Sequence, residues 1–600
     1  MAEVKKIPLR EEVPEEYTWN TADLFPTDEA WETELEAVRA EGKKISAYAG
    51  HLGESGGKLL AFLEANDALN VRLSALANYA MRKSDQDTRD PKYQAVHGKF
   101  SAVRSELNRL SAFVTPELMD IPDGKMEQFY AEAPGLELYR RHFDVLRALL
   151  ENILSDGEEM LLAAAGESSG LPSDAFGKLT NADLTFPEAE DGRGRKVPLS
   201  NGAFVPCEMS EDRVLRKNAY EAYYGVYGSV KNTAAALLAG EMKRRRFVAT
   251  ARKYPSALTA AVSGNRVPEA VYHTLIETVN ANLDKFHRYI ALRKKLLGVE
   301  ELHMYDIYVP MIPGAEKEIS FQEAKDTVYA ALEPMGEDYR AIIKEGFENR
   351  WIDVYENVGK RSGAYSAGAL CHPYVLLNHK DNLDSMFTLA HEMGHAAHSY
   401  LSNKHQPQVY RNYPIFVAEV ASTCNEALLM EYLLGRTTDK KERAVLINHF
   451  LEQFKGTLYR QTMFAEFELI MGELDAAGEA LTADRLCREY KALNAKYYGP
   501  DIVTDDYIAL EWARIPHFFM NYYVYQYATG YSAAIALSRK ILKEGPAAVK
   551  DYVTFLSGGR SKDPIDLLKG AGVDMSTAGP IQSALDLFGE LLDEMEGLMA

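Results

Sequence analysis

The stretch Thr388-Leu389-Ala390-His391-Glu392-Met393-Gly394-His395-Ala396-Ala397-His398-Ser399 decides how this chain is read. Preceded by Asp381 to Phe387 and continued by Tyr400-Leu401, it predicts a helix. Four residues apart, His391 and His395 lie about 40° apart around the axis, so both imidazoles project from one face toward a shared point. Two neutral imidazoles suit Zn²⁺, and Glu392, next to the first, can reach a water on the metal's open side and take its proton. Gly394, Ala396 and Ala397 keep the helix slim where another element could pack closely. The competing reading is a surface helix that happens to carry histidines.

A catalytic zinc wants a third protein ligand and leaves its fourth position for water. After a polar turn through Asn403 to Gln408, Tyr413-Pro414 opens an apolar-periodic segment, Ile415 to Leu434. Glu419 and Glu426 are seven apart in it, hence on one helical face, among Phe416, Val417, Val420, Ala421, Leu428 and Leu429. A carboxylate in such company needs a partner. Glu419 is therefore expected to be the third ligand, delivered by an antiparallel helix, and Glu426 to hold a ligand histidine by its free N–H. His398 is expected to be packed or supporting rather than ligating, because no bend separates it from His395.

Together these residues carry a resemblance. His391-Glu392-Met393-Gly394-His395, followed by Ala418-Glu419-Val420-Ala421-Ser422-Thr423 and Asn425-Glu426, resembles the oligoendopeptidase F group of the thimet oligopeptidase and neurolysin family of zinc peptidases. The similarity extends to Trp19-Asn20 through Trp31, Tyr305-Asp306-Ile307-Tyr308-Val309-Pro310, Gly363-Ala364-Tyr365, His372-Pro373-Tyr374-Val375, Ile515 to Gly530, Gly558-Gly559 and Gly572-Val573-Asp574-Met575. It covers almost the whole chain, most strongly from about residue 200 onward.

Composition sets outer limits. Six hundred residues allow a large core and more than one domain, and 46% apolar residues is ordinary for a globular protein. With 67 basic against 88 acidic residues the net charge is −21, which argues against nucleic acid or an anionic membrane as a partner. The basic run Lys243-Arg244-Arg245-Arg246 reads as a solvated helix face. Cys207, Cys371, Cys424 and Cys487 show no paired spacing, so thiols in a reducing compartment are expected, with Cys371 and Cys424, near the metal-site elements, expected to be small buried residues. Met1 to Glu16 has no apolar run of the kind a signal peptide needs, and no stretch reaches the roughly 20 apolar residues of a membrane span, so the expectation is a cytoplasmic protein.

Along the chain the pattern is mainly helical. Residues 1 to about 18 are expected to be a mobile lead, with Asp28 capping the helix that carries Trp31. Helices are expected over Ala30–Tyr48, Gly57–Arg89, Tyr93–Leu118, Gly124–Ala133 and Leu136–Leu154, separated by Gly50, Pro91, Pro116, Pro122 and Gly135. A short β-ribbon with a charged tip is expected between Leu179 and Cys207. A domain boundary placed there gives an N-terminal helical domain, 1–195, forming a channel wall, and a catalytic domain, 196–600. Tyr365 to Asn378 reads as a second β-like stretch just before the metal helix, either an edge that holds an extended peptide or a strand buried under that helix. Amide hydrolysis passes through an oxyanion that wants a donor opposite the metal. The tract Arg514 to Tyr527 offers His517, Tyr523 and Tyr527, with Tyr522 after them, and Tyr523 and Tyr527 would share a helical face.

The resemblance implies more than these residues show by themselves. It implies a two-lobed, mainly α-helical gluzincin-like fold with a small β-sheet by the active site and a deep channel that admits short unstructured peptides and excludes folded proteins. It implies one Zn²⁺ per chain on His391, His395 and Glu419, with Glu392 as general base and a His and Tyr cluster around His517, Tyr527 and Tyr523 as oxyanion donors. It also implies peptide binding along the segment that holds Gly363, Tyr365, His372 and Tyr374. Oligopeptides are then the expected partners and internal peptide bonds the expected target. The alternatives are a carboxypeptidase or dipeptidyl carboxypeptidase on the same scaffold, or a silent peptide-binding protein, against which the intact Glu392 argues.

Overall fold

The computed structural model describes residues 7–312 and 317–599. Helices carry most of the chain and the sheets are small, as the periodicity predicts. Two compact units emerge, each assembled from three separate stretches of sequence: 1–150, 316–431 and 537–572 in the first, and 151–315, 432–536 and 573–600 in the second. The position expected for a domain boundary, near residue 195, lies inside the second unit.

The first unit begins with a helical layer, Asp28–Ile45, Gly56–Gln86, Pro91–Leu110 and Asp123–Glu132; the helix expected over Tyr93–Leu118 stops at Leu110 and resumes as Val114–Met119, and that expected over Leu136–Leu154 is the short Arg140–Arg147 between 3₁₀ turns. Their apolar faces meet around Trp31, Leu59, Phe62, Leu76 and Phe129. Trp31 is fully buried and its indole N–H donates to the Leu76 carbonyl at 3.0 Å, so the largest ring in this core leaves no polar atom unpaired. Thr27, not Asp28, caps the first of these helices by accepting from the Ala30 N–H. Asp28 instead accepts from the Tyr79 hydroxyl at 2.6 Å. From Ile7 onward the expected mobile lead is docked. Arg10 donates to the buried Asp353 at 2.8 Å, and the Val358 N–H donates to the Pro8 carbonyl at 2.9 Å. Met1 to Lys6 lie outside the described residues.

The same unit holds a three-stranded sheet with the order Ile352–Asp353, Tyr374–Leu376, Tyr365–Ala367, the first pair parallel and the second antiparallel. Tyr374–Leu376 is the central strand and is buried throughout, as an apolar strand with neighbours on both sides should be. Tyr365–Ala367 is the half-buried edge.

In the second unit, Arg213–Ala251 runs for 39 residues, with Glu269–Asn280, Leu283–Leu297, Arg460–Ala476, Ala483–Tyr498 and Gly579–Met599 among its other helices. The predicted ribbon is present as Ala189–Glu190 paired antiparallel with Lys196–Val197. Gly202, Ala203 and Phe204, expected to extend it, begin the helix Asn201–Glu208 instead, because the Ser200 hydroxyl caps that helix by accepting from the Ala203 N–H.

The basic run is not a uniformly solvated face. Arg245 is 4% exposed. It pairs with Glu241 one turn earlier at 2.9 Å and with the buried Glu468 at 3.0 Å, and it donates to the Phe518 carbonyl at 2.6 Å. Successive helical residues point about 100° apart, so four basic residues in a row cannot all face water on a helix packed into a core.

Candidate metal centre

The metal-ligand candidates all lie in the first unit, on two helices. Leu383–His405 carries the histidines. Its Asn382 cap accepts from the Ser385 N–H at 2.9 Å, and Lys404 and His405 sit in the last turn, where they complement the helix dipole. Ile415–Arg436 carries the two carboxylates. The helices run antiparallel, since Ala390 meets Asn425 while Gly394 meets Ala421 and Ser422. At Gly394 the two backbones come so close that a Cβ would stand 2.6 Å from the Ala421 carbonyl oxygen and 2.6 Å from the Ser422 Cα. Only glycine fits.

A buried polar chain fixes the register. Asn425, fully buried, donates to the Ala390 carbonyl at 3.2 Å and accepts from the Tyr339 hydroxyl at 2.9 Å. Sliding the helices past one another would leave these groups unpaired away from water, which costs about 1–3 kcal/mol for each.

This register brings His391, His395 and Glu419 together. One ligand atom from each lies within 4.8 Å of the others. The Glu419 carboxylate is 3.4 Å from His391 Nε2 and 3.6 Å from His395 Nε2. A tetrahedral zinc with bonds of about 2.0–2.1 Å spaces its ligands by about 3.3–3.4 Å, so these residues already stand near the separation a bound ion requires. Two imidazoles and one carboxylate are also the right donor types. Glu426 meets the other ring nitrogen of His391, Nδ1, which turns Nε2 toward Glu419.

The electrostatics suit a cation. Burial works against charge on His391, but Glu419 and Glu426 carry its pKa well above the usual histidine value. Burial and the neighbouring His391 push His395 down to about 4. Glu419 is buried too, yet the hydrogen bond from His391 and the charge of His395 draw it down to about 2. Two carboxylates converging on His391 are the charge that a divalent cation among the three ligands would offset.

Glu392 is 5% exposed, and its Oε2 is buried with no hydrogen-bond partner among the described residues. Burial pushes its carboxyl up to about 7. His398 is packed: its ring lies 3.6 Å from that of Tyr413, nearly parallel, and burial pushes its pKa down to about 3.

The segment before the metal helix is anchored at several points. Gly363 has φ +82° and its carbonyl accepts from the Asn378 amide at 2.8 Å. The Tyr365 hydroxyl donates to Asp85 at 2.6 Å. His372 stacks on Trp351 and lies 3.1 Å from the Asp23 carboxylate. Tyr374, central and fully buried, donates to the Asn20 carbonyl at 3.0 Å.

His517, Tyr523 and Tyr527 belong to the second unit. They do not sit on one continuous helix. Pro516–Phe519 is a 3₁₀ turn, Asn521 and Tyr522 have φ of +50° and +56°, and the α-helix starts at Tyr525. The three rings still cluster, with Tyr527 6.1 Å from His517 and 5.4 Å from Tyr523 between centroids. Burial, and then Arg460, lowers the His517 pKa. Tyr522 points away into the core: a Cβ on Gly472 would lie 2.1 Å from its hydroxyl. The left-handed backbone at Asn521 and Tyr522 is held by Arg245 on the Phe518 carbonyl and by Glu468, which accepts from the Tyr522 N–H at 3.0 Å. Sequence reasoning missed this network. The one local signal for it was the spacing of Glu241 and Arg245, which would pair them on one helical face.

Residues 207–587 match the profile of Peptidase family M3, and residues 117–186 match that of Oligopeptidase F. The chain belongs to peptidase family M3. Oligopeptidase PepF of Bacillus subtilis is 48% identical over an alignment that covers all of this chain and 90% of that protein. Group B oligopeptidase PepB of Streptococcus agalactiae is 40% identical over 98% of each. The crystal structure of oligoendopeptidase-F from Enterococcus faecium, 39% identical, aligns with a TM-score of 0.74 over 95% of this chain and 99% of that one. The resemblance read from the motifs is borne out, and the protein is a metalloendopeptidase with the mainly helical fold of this family.

Proposed function

We propose that this M3 enzyme is a zinc-dependent oligoendopeptidase that hydrolyses internal bonds of short, unstructured peptides in the cytoplasm. The observation that carries the reading is the convergence of His391, His395 and Glu419 within 4.8 Å, beside a buried Glu392 oxygen with no hydrogen-bond partner among the described residues. Four cysteines without a disulfide support a reducing compartment.

His391, His395 and Glu419 would hold the ion, and Glu426 would keep His391 aimed at it. Bound there, Zn²⁺ supplies Lewis acidity toward a water and toward the scissile carbonyl. Glu392 is the group that takes a proton from the attacking water and returns it to the leaving amine. A cation beside it opposes the effect of burial and favours its ionised form, which a base must have at the start of the cycle. His517, Tyr527 and Tyr523 are the proposed donors to the oxyanion, a role that rests on the family resemblance and the clustering of their rings. The half-buried edge strand Tyr365–Ala367 is the proposed backbone rail for an extended peptide.

The test is to incubate purified protein with a flexible peptide and with a folded protein, with and without chelator, and to read products by mass. The reading expects internal cuts in the peptide alone, abolished by chelation and restored by zinc. Products released only from one end would favour the dipeptidyl carboxypeptidase alternative. Equal cleavage of the folded protein would remove the size restriction.

A further inference from the structure

A cavity of about 360 Å³ lies within the first unit, beyond the metal ligands along the His391 helix. Ser399 and Asn403 line it from that helix, four and eight residues past His395, which is about 6 and 12 Å along the axis. On another side, Ser366 belongs to the edge strand of the sheet, and Gly368 just beyond it packs so tightly on Ser399 that an added Cβ would meet the Ser399 Cβ at 3.0 Å. The remaining wall holds two arginines, Arg411 and Arg560.

Among the described residues neither guanidinium has a carboxylate ion-pair partner. Arg411 is 8% exposed, and its Nη2 is buried with no hydrogen-bond partner among the described residues. No described carboxylate forms an ion pair with it. The acid that acts on it at longer range is Asp67, already bonded by the Tyr139 hydroxyl at 2.9 Å. An almost fully buried guanidinium without a close counter-ion is costly, and such groups are ordinarily paired. The exposed Arg560 is brought beside it by the backbone: its N–H donates to the Tyr410 carbonyl at 2.7 Å. That approach requires Gly559, with φ +52°, where a Cβ would stand 2.1 Å from the same carbonyl oxygen. A chain of net charge −21 has thus built a pocket with two cations that no described carboxylate pairs with, and the polar groups of Asn403, Asn412, Ser399 and Ser366 around them.

We propose that this Arg411–Arg560 pocket binds a carboxylate of the peptide substrate, either its C-terminus or an acidic side chain, one to two helical turns from the metal ligands. Guanidinium and carboxylate match as a planar, two-pronged pair, and the partly desolvated setting strengthens charge-assisted hydrogen bonds. The pocket adjoins the strand proposed as the peptide rail, so the inference rests on that reading for the identity of the ligand.

The experiment measures binding separately from turnover. The zinc-loaded Glu392→Gln protein is titrated, by fluorescence anisotropy, with three N-terminally labelled flexible peptides: the free acid, its C-terminal amide, and the amide carrying Glu as last residue. A preference of about tenfold or more for a carboxylate-bearing peptide over the plain amide is expected. Whether the free acid or the Glu peptide carries it identifies the source. Arg560→Gln in the same background should abolish the preference, Arg560→Lys should restore part of it, and Arg411→Gln, checked for folding by circular dichroism, should abolish it too. Equal binding of all three peptides, or a preference that survives both Gln variants, overturns the proposal. Wild-type protein that cleaves nothing while the preference stands would overturn the peptidase reading and leave this site in place.

Discussion

Replacing Gly394 by alanine is the sharpest probe of how the metal site is assembled. The added methyl carbon would stand 2.6 Å from the Ala421 oxygen and from the Ser422 Cα, and 2.9 Å from the Ala421 carbonyl carbon. All three are backbone atoms of the Glu419 helix, so no side chain can rotate out of the way. Reaching ordinary contact at about 3.4 Å or more demands roughly 0.8 Å of separation between the helices. Overpacking of this kind costs about 1–3 kcal/mol, partly offset by the gain of about 1 kcal/mol that alanine has over glycine inside a helix. The larger effect falls on the metal. Ligand positions tolerate only about 0.2 Å, and moving Glu419 by several times that amount should weaken metal binding by at least tenfold. Competition with a chromophoric chelator measures the affinity, and thermal unfolding measures the stability. Gly435→Ala is the control: it lies on the Glu419 helix rather than that of Gly394, is exposed, and has nothing within 4 Å of its would-be Cβ, so it should leave metal affinity unchanged and raise stability slightly. Wild-type metal affinity in Gly394→Ala would refute the claim that this contact sets the ligand geometry.

Three further outcomes follow from the same structure. Glu392→Gln should lose about 10²–10⁴ in kcat while keeping its metal, and a zinc-loaded variant that still turns over peptide would remove Glu392 as the base. Glu426→Gln, which weakens the hold on His391 Nδ1, should cost about 10–100-fold in zinc affinity by chelator competition; an unchanged affinity would make the contact incidental. In the second unit Glu511 is fully buried, yet Arg460 and Arg514 draw its pKa from 4.5 down to about 2. The folded pKa is depressed, so the stabilisation is complete above about 4.5 and is lost as pH falls toward 2. Acid unfolding followed by tryptophan fluorescence should therefore be less steep in Glu511→Gln than in the parent, and identical acid profiles would contradict this.

Much of the site was legible because its chemistry repeats with helical period. His391 and His395 fall on one face by spacing, and Glu419 and Glu426 are conspicuous as carboxylates in an apolar helix, where burial demands partners. Gly394 reads as a slim point, though only the structure shows which backbone it admits. Two misreadings were local, the Thr27 and Ser200 caps that set where helices start; the others come from burial decided by residues distant in sequence. Arg245 looks solvated within four basic residues until Glu468 and the Phe518 carbonyl are placed around it. Arg10 and Pro8 look like a loose lead until Asp353 and Val358, more than three hundred residues away, receive them. Tyr374–Leu376 and Tyr365–Ala367 both read as β-like, and only the pairing with Ile352–Asp353 makes the first central and leaves the second at the edge. The two compact units are each threaded three times by the chain, and two of the joins, 431/432 and 536/537, fall inside the helices Ile415–Arg436 and Tyr525–Glu544, where no breaker marks them.

The central claim is that His391, His395 and Glu419 together hold a single catalytic metal ion. The most direct test is the zinc content per chain, by mass spectrometry after dialysis against zinc-free buffer, for the parent, Glu392→Gln, His395→Ala and Glu419→Ala. The account predicts one zinc per chain in the first two and almost none in the last two, with folding of all four checked by circular dichroism. Full zinc occupancy in folded His395→Ala and Glu419→Ala proteins would contradict it.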